Sequence, residues 1–244
     1  ETAISLYQKG INIEAIIDNR EEIDSKLIKE AEKNNIKIYK GFTVVNTFGY
    51  KRINKISIMQ LSKDGQKVVG SRISIACDCL GISGGWTPAV HLFTQSGGKL
   101  KFRDEDQVFI PNIYPSDQIS IGSCNGDFTL NEIISSVPNK LKEFLNVKKT
   151  DYENLEIYSA FNKSKRNIWL LPSDKVIGKT KSFVDYQNDA TAKDIKLALR
   201  EGFRSIEHVK RYTTTGMGTD QGKLGNMHAL GIISETAGSK MGEL

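Results

Sequence analysis

Apolar residues along the first forty positions follow helical spacing in some stretches and strand spacing in others. Residues 1–9 have the spacing of a helix, and the apolar run at residues 11–17 predicts a short strand ending at Asp18. Residues 23–34 then predict an amphipathic helix and residues 36–39 another strand. This alternation is typical of the second half of a β-α-β unit in an α/β domain.

Between residues 41 and 75 the apolar positions recur at every second residue. Three such runs, separated by polar turns, predict an antiparallel β meander inserted into the α/β domain. Residues 76–82 and 118–121 are apolar enough to predict two further buried strands, each followed by a glycine-containing turn.

Two capping boxes mark where helices begin. Thr129 and Glu132 precede a helix predicted to end near Phe144, and Thr191 and Asp194 precede the first of three helices near the end of the chain. In each box the hydroxyl and the carboxylate can satisfy free backbone N–H groups. The last residues are therefore predicted to form a small helical bundle.

These elements divide the chain into four parts. Residues 1–85 are predicted to be an NAD-binding-like α/β domain with the inserted meander, and residues 86–145 the last segment of that dinucleotide-binding domain. Residues 146–182 have the composition of a connector, and residues 183–244 that of a helical domain. Because the first residues already have helical spacing, we expect the chain to be an internal segment of a longer protein.

Composition excludes several classes of protein. The net charge of +5 comes from 34 basic and 29 acidic residues spread along all 244 positions, which is not the pattern of a nucleic-acid-binding protein. The apolar stretches are far shorter than the roughly 18 to 20 residues that cross a bilayer. We therefore expect a cytoplasmic protein with neither nucleic acid nor membrane as partner.

Cysteines and histidines indicate no metal site. The three cysteines form no disulfide framework and fit a reducing compartment, and Cys77-x-Cys79 lacks a second pair for metal binding. None of the three histidines has a spaced ligand partner, and each is interpreted as structural (His91, His208 and His228).

Asp18 is the clearest candidate binding residue. In a dinucleotide-binding β-α-β unit, an acidic residue at the end of the second strand accepts hydrogen bonds from the adenine ribose hydroxyls. A polar turn at the end of an ordinary strand is the alternative. The glycine-rich turn of such a unit would lie upstream of residue 1.

Two turns are further candidates for approach to a cofactor. The first contains Gly84 and Gly85, where a backbone without Cβ atoms allows close contact. The second contains Gly122, Ser123, Cys124 and Asn125, where N–H groups near a helix start can face a phosphate. A plain turn is the alternative in both places.

Several motifs resemble the alpha subunits of heterotetrameric sarcosine oxidase. They comprise residues 183–195, 200–214 and 216–223, together with residues 83–93 and 95–100. The resemblance thus spans nearly the whole chain. It implies an α/β dinucleotide-binding flavoprotein of the Rossmann type, with two such domains in the family, followed by a helical domain.

The helical part also resembles the [2Fe–2S] domain of bacterioferritin-associated-ferredoxin type in related amine and opine oxidoreductases. The four cysteine ligands of that domain are replaced here, since the corresponding positions are Asp185, Gln187, Asp220 and Gly225. Thiolates hold such clusters. We therefore expect no iron–sulfur cluster and no other metal.

The resemblance also implies the chemistry of the complex. Such oxidases convert sarcosine, oxygen and tetrahydrofolate to glycine, 5,10-methylenetetrahydrofolate and hydrogen peroxide. FAD lies in the beta subunit, FMN at the alpha–beta interface and NAD in the alpha subunit, and gamma and delta subunits complete the assembly. The folate domain would lie beyond Leu244, so this segment is expected to contain no catalytic residue.

Two details of the sequence refine these expectations. Ser123 follows Gly122 where related flavoproteins carry an aspartate that binds flavin, which favours NAD over FAD at this site. Candidates for the FMN interface are basic residues and a loop (Lys210, Arg211, Thr213, Thr214, Thr215 and Gly216). The alternatives are a subunit of an opine or cyanide-forming amine oxidoreductase, and a non-catalytic scaffold with a vestigial dinucleotide site.

Overall fold

The structure, a computed structural model, describes residues 1–23, 25–115, 117–146, 168–175 and 181–244. The chain forms two compact units. The first comprises Glu1–Ile13, Glu22–Lys37 and Leu80–Asn167, and the second Glu14–Glu21, Ile38–Cys79 and Ile168–Leu244. Residues of the meander and of the helical domain therefore share the second unit. No helix among the described residues is long and apolar enough to span a membrane.

The first unit begins with two helices, α1 (Thr2–Gln8) and α2 (Lys26–Lys33). The Ser25 hydroxyl caps α2 by accepting the Ile28 N–H. Both helices confirm the predicted ones, with α2 shorter at its start than expected.

A short helix and a hairpin follow in the same unit: α3 (His91–Gln95), β6 (Lys99–Arg103) and β7 (Val108–Ile113). A single 3-10 turn (Gly122–Asn125) then leads to α4 (Leu130–Leu145). The capping box of Thr129 and Glu132 is present at the start of α4, as predicted.

The second unit contains a parallel pair and a meander. Strands β1 (Ile16–Asp18) and β2 (Ile38–Lys40) pair in parallel, with Ile16 opposite Ile38. The predicted meander is confirmed as an antiparallel sheet of β3 (Phe42–Gly49), β4 (Ile53–Leu61) and β5 (Val68–Ala76). Ile56, Ile58 and Leu61 of the central strand β4 are buried.

The helical domain in this unit opens with a two-strand ribbon, β8 (Phe183–Asp185) and β9 (Ala190–Thr191). Three helices follow: α5 (Ala192–Arg200), α6 (Ile206–Thr213) and α7 (Asn226–Ala237). The capping box of Thr191 and Asp194 begins α5, and the three predicted helices are confirmed. Their core is formed by buried apolar side chains, including Ile195, Val209, Ile232 and Ile233.

Residues 168–175 link the helical domain and the meander within the second unit. The Trp169 ring lies where a Cβ at Gly231 of α7 would be placed, and Leu170 packs against the helical core. Asp174 accepts two hydrogen bonds from Arg72 of β5, at 2.7 and 2.6 Å. Most of the predicted connector, including Tyr158, lies outside the described residues.

Two predicted strands were wrong. Strand β5 ends at Ala76, and residues 77–82 and 118–121 have neither helical nor strand structure. An apolar run becomes a strand only beside another strand that accepts and donates its hydrogen bonds, and no described strand pairs with either run. Ile82, expected to be buried, is 81% exposed. For the same reason the first predicted strand shortens to Ile16–Asp18.

Candidate cofactor and interface sites

Asp18 lies at the carboxyl end of the parallel strand β1, where the sequence placed it. Arg20 holds its carboxylate through three contacts. The Arg20 backbone N–H and Nε donate to Oδ1 at 2.9 and 3.0 Å, and Nη2 donates to Oδ2 at 2.7 Å. This bidentate ion pair fixes the direction in which the carboxylate points.

The pair also keeps both side chains charged. Burial by itself raises the pKa of the Asp18 carboxyl, but the hydrogen bonds and positive charge of Arg20 outweigh it and hold that pKa below its ordinary value. The hydrogen bond to Asp18 likewise raises the pKa of Arg20. An ionised carboxylate with oriented lone pairs is the acceptor that a ribose diol requires.

The turn with Gly84 and Gly85 belongs to the first unit, and both glycines are exposed. A Cβ added at either glycine would meet no atom within 4 Å, and the φ of Gly85 is +115°. The neighbouring Trp86 side chain is 74% exposed. Space for a ligand to approach this backbone is therefore present.

The second candidate turn, Gly122–Asn125, is held by polar contacts within the first unit. The Tyr114 hydroxyl donates to Asn125 Oδ1 at 3.0 Å, and the Cys124 thiol donates to the Ile121 carbonyl. Burial raises the pKa of Tyr114, so its hydroxyl stays protonated. The thiol of Cys124 is thus engaged by the backbone just before the turn.

Charged residues support the end of this turn. Arg103 pairs with Asp106 and donates through Nη2 to the Gly126 carbonyl at 2.7 Å. Asp127 accepts from Asn125 and Ser136 and lies 3.6 Å from Lys140 Nζ. At the start of α4 the capping box already uses the N–H groups of Thr129 and Glu132, so the helix start offers a phosphate fewer donors than its sequence indicates.

The four positions that replace the cluster cysteines converge at one end of the helical domain. The buried Asp185 carboxylate accepts the N–H groups of Gln187, Asn188 and Gly216, and the Asn188 side-chain amide as well. Burial favours the neutral form, but these hydrogen bonds together hold the pKa of Asp185 below its ordinary value.

Gln187 and Asp220 hold the facing loop in a similar way. Gln187 Oε1 accepts the N–H and the hydroxyl of Thr219 at 2.6 and 2.8 Å. Asp220 accepts the N–H groups of Gly222 and Leu224 at 3.2 and 3.3 Å. Side chains at the replaced positions therefore bind backbone N–H groups of the loop.

The fourth position, Gly225, has no room for a side chain. A Cβ there would lie 2.6 Å from the Val184 carbonyl oxygen. Any larger residue, including cysteine, requires the backbone of β8 or of the loop to move.

The candidate FMN loop is mostly occupied by its own hydrogen bonds. Thr213 and Thr215 are buried and share a hydroxyl contact of 2.8 Å, and Gly216 donates its N–H to Asp185. Thr214 lies at the surface in the left-handed region, with φ +59°. Lys210 and Arg211 occupy the last turn of α6.

The sequence analysis missed two of the ion pairs described above. Arg20 was not singled out, although an arginine two residues after a strand-terminal aspartate is a short-range signal for a pair. Arg103 and Asp106 are three residues apart, a spacing typical of pairs on a helix, but they lie at a hairpin turn, so the sequence did not indicate this pair. Among the described residues, no group of three or more His, Cys, Asp and Glu is placed to hold a metal ion.

Comparison with known proteins first identifies the helical part. Residues 179–244 match the family described as the sarcosine oxidase A3 domain. This range covers β8 to the end of the chain, including all four replaced cysteine positions.

Nearly the whole chain is similar to two curated proteins named sarcosine oxidase subunit alpha. The subunit from Rhizobium meliloti is 30% identical over 259 residues, covering 99% of this chain and 23% of the relative. The subunit from Corynebacterium sp. strain U-96 is 29% identical, covering 92% of this chain and 24% of the relative. The resemblance predicted from the motifs is confirmed: this chain is similar to sarcosine oxidase alpha subunits over nearly its whole length and spans about a quarter of theirs.

Two solved structures show weaker likeness. L-proline dehydrogenase from P. horikoshii matches 94% of this chain and 46% of its own, with 19% identity and a TM-score of 0.49. Thioredoxin reductase from T. acidophilum matches 46% of this chain and 40% of its own, with 19% identity and a TM-score of 0.31.

Proposed function

We propose that this chain is an internal segment of the alpha subunit of a heterotetrameric sarcosine oxidase, an oxidoreductase acting on the CH–NH group of its donor with oxygen as acceptor. The observation that carries the proposal is the similarity to a sarcosine oxidase subunit alpha over 99% of the chain. The segment contributes NAD binding and subunit framework. Beta, gamma and delta subunits are its partners, and the complex is cytoplasmic.

The complex converts sarcosine, oxygen and tetrahydrofolate to glycine, 5,10-methylenetetrahydrofolate and hydrogen peroxide. The flavins, FAD in the beta subunit and FMN at the alpha–beta interface, supply the redox chemistry, and tetrahydrofolate binds outside this segment. We assign no catalytic residue to the segment.

Asp18 is the residue we propose to hold the adenine ribose of NAD. Its ionised carboxylate ends a parallel strand, which is where dinucleotide-binding domains place the ribose acceptor. Arg20 orients that carboxylate. Gly84, Gly85 and the Gly122–Asn125 turn belong to the other compact unit, and each is proposed separately as a place where backbone can approach a dinucleotide. Ser123 in place of a flavin-binding aspartate favours NAD over FAD at the second turn.

We further propose that the helical domain binds no iron–sulfur cluster. The side chains of Asp185, Gln187 and Asp220 are oxygen acceptors already bound to loop N–H groups. Gly225 offers no ligand atom, and its surroundings exclude a Cβ. Since four thiolates hold such a cluster, these positions fit a hydrogen-bonded loop instead.

For the FMN interface, the side chains that remain able to bind a phosphate are those of Lys210 and Arg211. The hydroxyls of Thr213 and Thr214 and the N–H of Gly216 donate within the domain, and the Thr215 hydroxyl contacts that of Thr213. Replacing Arg211 by alanine in the reconstituted complex is expected to lower FMN content or electron transfer between the flavins. Unchanged FMN content and transfer would remove Arg211 from the interface.

The direct test of the proposed function is to purify the full-length subunit with its co-expressed partners and to measure hydrogen peroxide formed from sarcosine. We expect sarcosine-dependent peroxide, and formation of 5,10-methylenetetrahydrofolate when tetrahydrofolate is present. Turnover of another amine or an opine without turnover of sarcosine would favour the related oxidoreductases. A complex that assembles but contains no nucleotide in the alpha subunit would favour the vestigial scaffold.

A further inference from the structure

Two of the three cysteines are separated by a single residue where the meander ends. Cys77 directly follows Ala76, the last residue of β5, and its N–H donates to the Asn54 carbonyl of β4 at 3.3 Å. Cys77 is half-buried and Cys79 is exposed, and both belong to the second unit. We call these two residues the thiol pair. Since a metal site of this kind requires a second pair of ligands, the chemistry open to the thiol pair is that of a dithiol.

The chain geometry allows the thiol pair to form a disulfide. Consecutive Cα atoms lie about 3.8 Å apart, so the Cα atoms of Cys77 and Cys79 are separated by less than about 7.6 Å. The chain bends at Asp78, which shortens this separation towards the roughly 4.4–6.8 Å at which disulfides occur. Cys77 is fixed to the sheet by its N–H, whereas Cys79 lies after the bend, outside the strand. Closing the bond therefore requires adjustment within three residues.

The surroundings of the two thiols give them different roles. Burial raises the pKa of the Cys77 thiol, and the negative charges of Asp78 and Glu14 raise it further. Cys79 adds to this shift as well, so the two side chains lie within electrostatic reach of each other. Because the thiolate is the nucleophile, Cys77 is a poor first reactant at neutral pH. The exposed Cys79 is the thiol that meets an oxidant from solution.

We propose that the thiol pair is a site of reversible oxidation by hydrogen peroxide, in which Cys79 reacts first and Cys77 converts the product to an intramolecular disulfide. The proposal goes beyond the proposed function and rests on it only for the source of the oxidant, since hydrogen peroxide is a product of the proposed reaction. An accessible cysteine beside a second, resolving cysteine is the arrangement that reversible thiol oxidation requires.

The oxidation takes place in two balanced steps. The Cys79 thiolate attacks one oxygen of the peroxide, the O–O bond breaks, and the products are a sulfenic acid on Cys79 and a hydroxide ion. The Cys77 sulfur then attacks the Cys79 sulfur, the S–O bond breaks, and a second hydroxide leaves as the S–S bond forms. The two thiol protons and the two hydroxides make two water molecules. Together the two thiols lose two electrons, which reduce the peroxide.

The short distance along the chain decides which product accumulates. Cys77 is two residues from the sulfenic acid, so its attack is intramolecular and needs no encounter by diffusion. An exposed cysteine without such a neighbour continues to sulfinic acid or pairs with a thiol of another molecule. Cys124 is the matched comparison, because it is half-buried in the first unit and its thiol donates to the Ile121 carbonyl at 3.0 Å.

The test uses the full-length subunit purified with its partners, first reduced and then exposed to a low dose of hydrogen peroxide. Trypsin releases residues 73–99 as one peptide, because Arg72 and Lys99 are the nearest arginine or lysine on either side of the thiol pair. The mass of this peptide separates a disulfide, which lacks two hydrogen atoms, from a sulfenic or sulfinic acid, which carries additional oxygen. Cys77→Ser, Cys79→Ser and Cys124→Ser subunits are treated in the same way.

We expect the wild-type peptide to lose two hydrogen atoms and to regain them with a thiol reductant. Cys77→Ser should accumulate oxygenated Cys79 at the wild-type initial rate, because the first step does not use Cys77. Cys79→Ser should slow the oxidation of Cys77 at least about tenfold. Cys124→Ser should leave the disulfide of the thiol pair unchanged.

Three results for the wild-type subunit would overturn the proposal: a thiol pair oxidised no faster than Cys124, a peptide that gains oxygen without losing hydrogen, and a disulfide that links Cys79 to another chain. These results need no variant, so a serine variant that fails to fold leaves the test intact. The same peptide is then measured after turnover of sarcosine, with and without catalase. If added peroxide forms the disulfide but sarcosine yields no peroxide, the proposed function fails and the thiol pair stands.

Discussion

The Asp185 carboxylate accepts the N–H of Gly216 at 2.7 Å, across 31 residues of sequence. This hydrogen bond closes the loop that follows α6 onto the ribbon at the start of the helical domain. By the resemblance drawn from the sequence, this position corresponds to a cluster cysteine of related oxidoreductases, and here it holds the loop by a hydrogen bond instead.

Replacing Asp185 by asparagine should destabilise the helical domain by about 2–3 kcal/mol at pH 7, because several buried N–H groups lose a charged acceptor. The pKa of Asp185 lies below its ordinary value of 3.8, so its contribution is fully present above that value. It is lost as the pH falls through the lower, folded-state pKa. The difference between wild type and variant should therefore shrink as the pH falls below 3.8.

Urea unfolding followed by Trp169 fluorescence, in a Trp86→Phe background, measures this difference. Asp189→Asn is the control, because Asp189 is exposed and in the left-handed region that asparagine also adopts. An equal effect of the two substitutions, or a gap that widens in acid, would contradict the role of Asp185.

Gly231→Ala tests the packing of residues 168–175. The added methyl group would occupy the position of the Trp169 ring, so the ring must leave α7. We expect a loss of about 1–3 kcal/mol and a red shift of Trp169 fluorescence. Thr236→Ala, at an exposed position of the same helix, should change neither. An unshifted emission in Gly231→Ala would show that Trp169 does not rest on this helix.

Thr191→Ala removes the hydroxyl that begins α5. That hydroxyl accepts the Asp194 N–H and donates to the Asp194 carboxylate, and its hydrogen bond lowers the pKa of Asp194. The expected cost is about 1 kcal/mol in the free energy of unfolding. Thr191→Ser keeps the hydroxyl and should recover most of the stability. If serine were no better than alanine, the cap would contribute little.

Asp18→Asn tests the proposed ribose acceptor in the full-length subunit. Loss of the charge weakens the acceptor and breaks the pair with Arg20, so we expect at least about tenfold weaker NAD binding by calorimetry. Asp104→Asn, at an exposed turn, is the control. NAD affinity unchanged in Asp18→Asn would exclude this residue from the site.

The sequence pattern correctly predicted elements whose structure is determined by residues close together in the sequence. The capping boxes at Thr129 and Thr191 and the period-two meander all appear in the structure, because their hydrogen bonds close locally or between neighbouring strands. Residues 76–82 were misjudged because a buried strand needs a partner strand, which an apolar run does not specify.

In the candidate sites, too, local features were predicted from the sequence and contacts between distant segments were not. Asp18 was placed correctly at the end of β1, since strand endings are a local property. The contacts of Asp185 and Gln187 with residues 216 and 219 were not foreseen, because they join segments about 30 positions apart whose meeting depends on how the helices pack.

We propose that this chain belongs to an NAD-containing, cluster-free alpha subunit. The most direct measurement is the nucleotide and iron released when the full-length subunit, purified with its partners, is denatured. We expect NAD in an amount equal to that of the subunit, and no iron or acid-labile sulfide. Iron and sulfide in cluster proportions, or a subunit that releases no nucleotide, would contradict it.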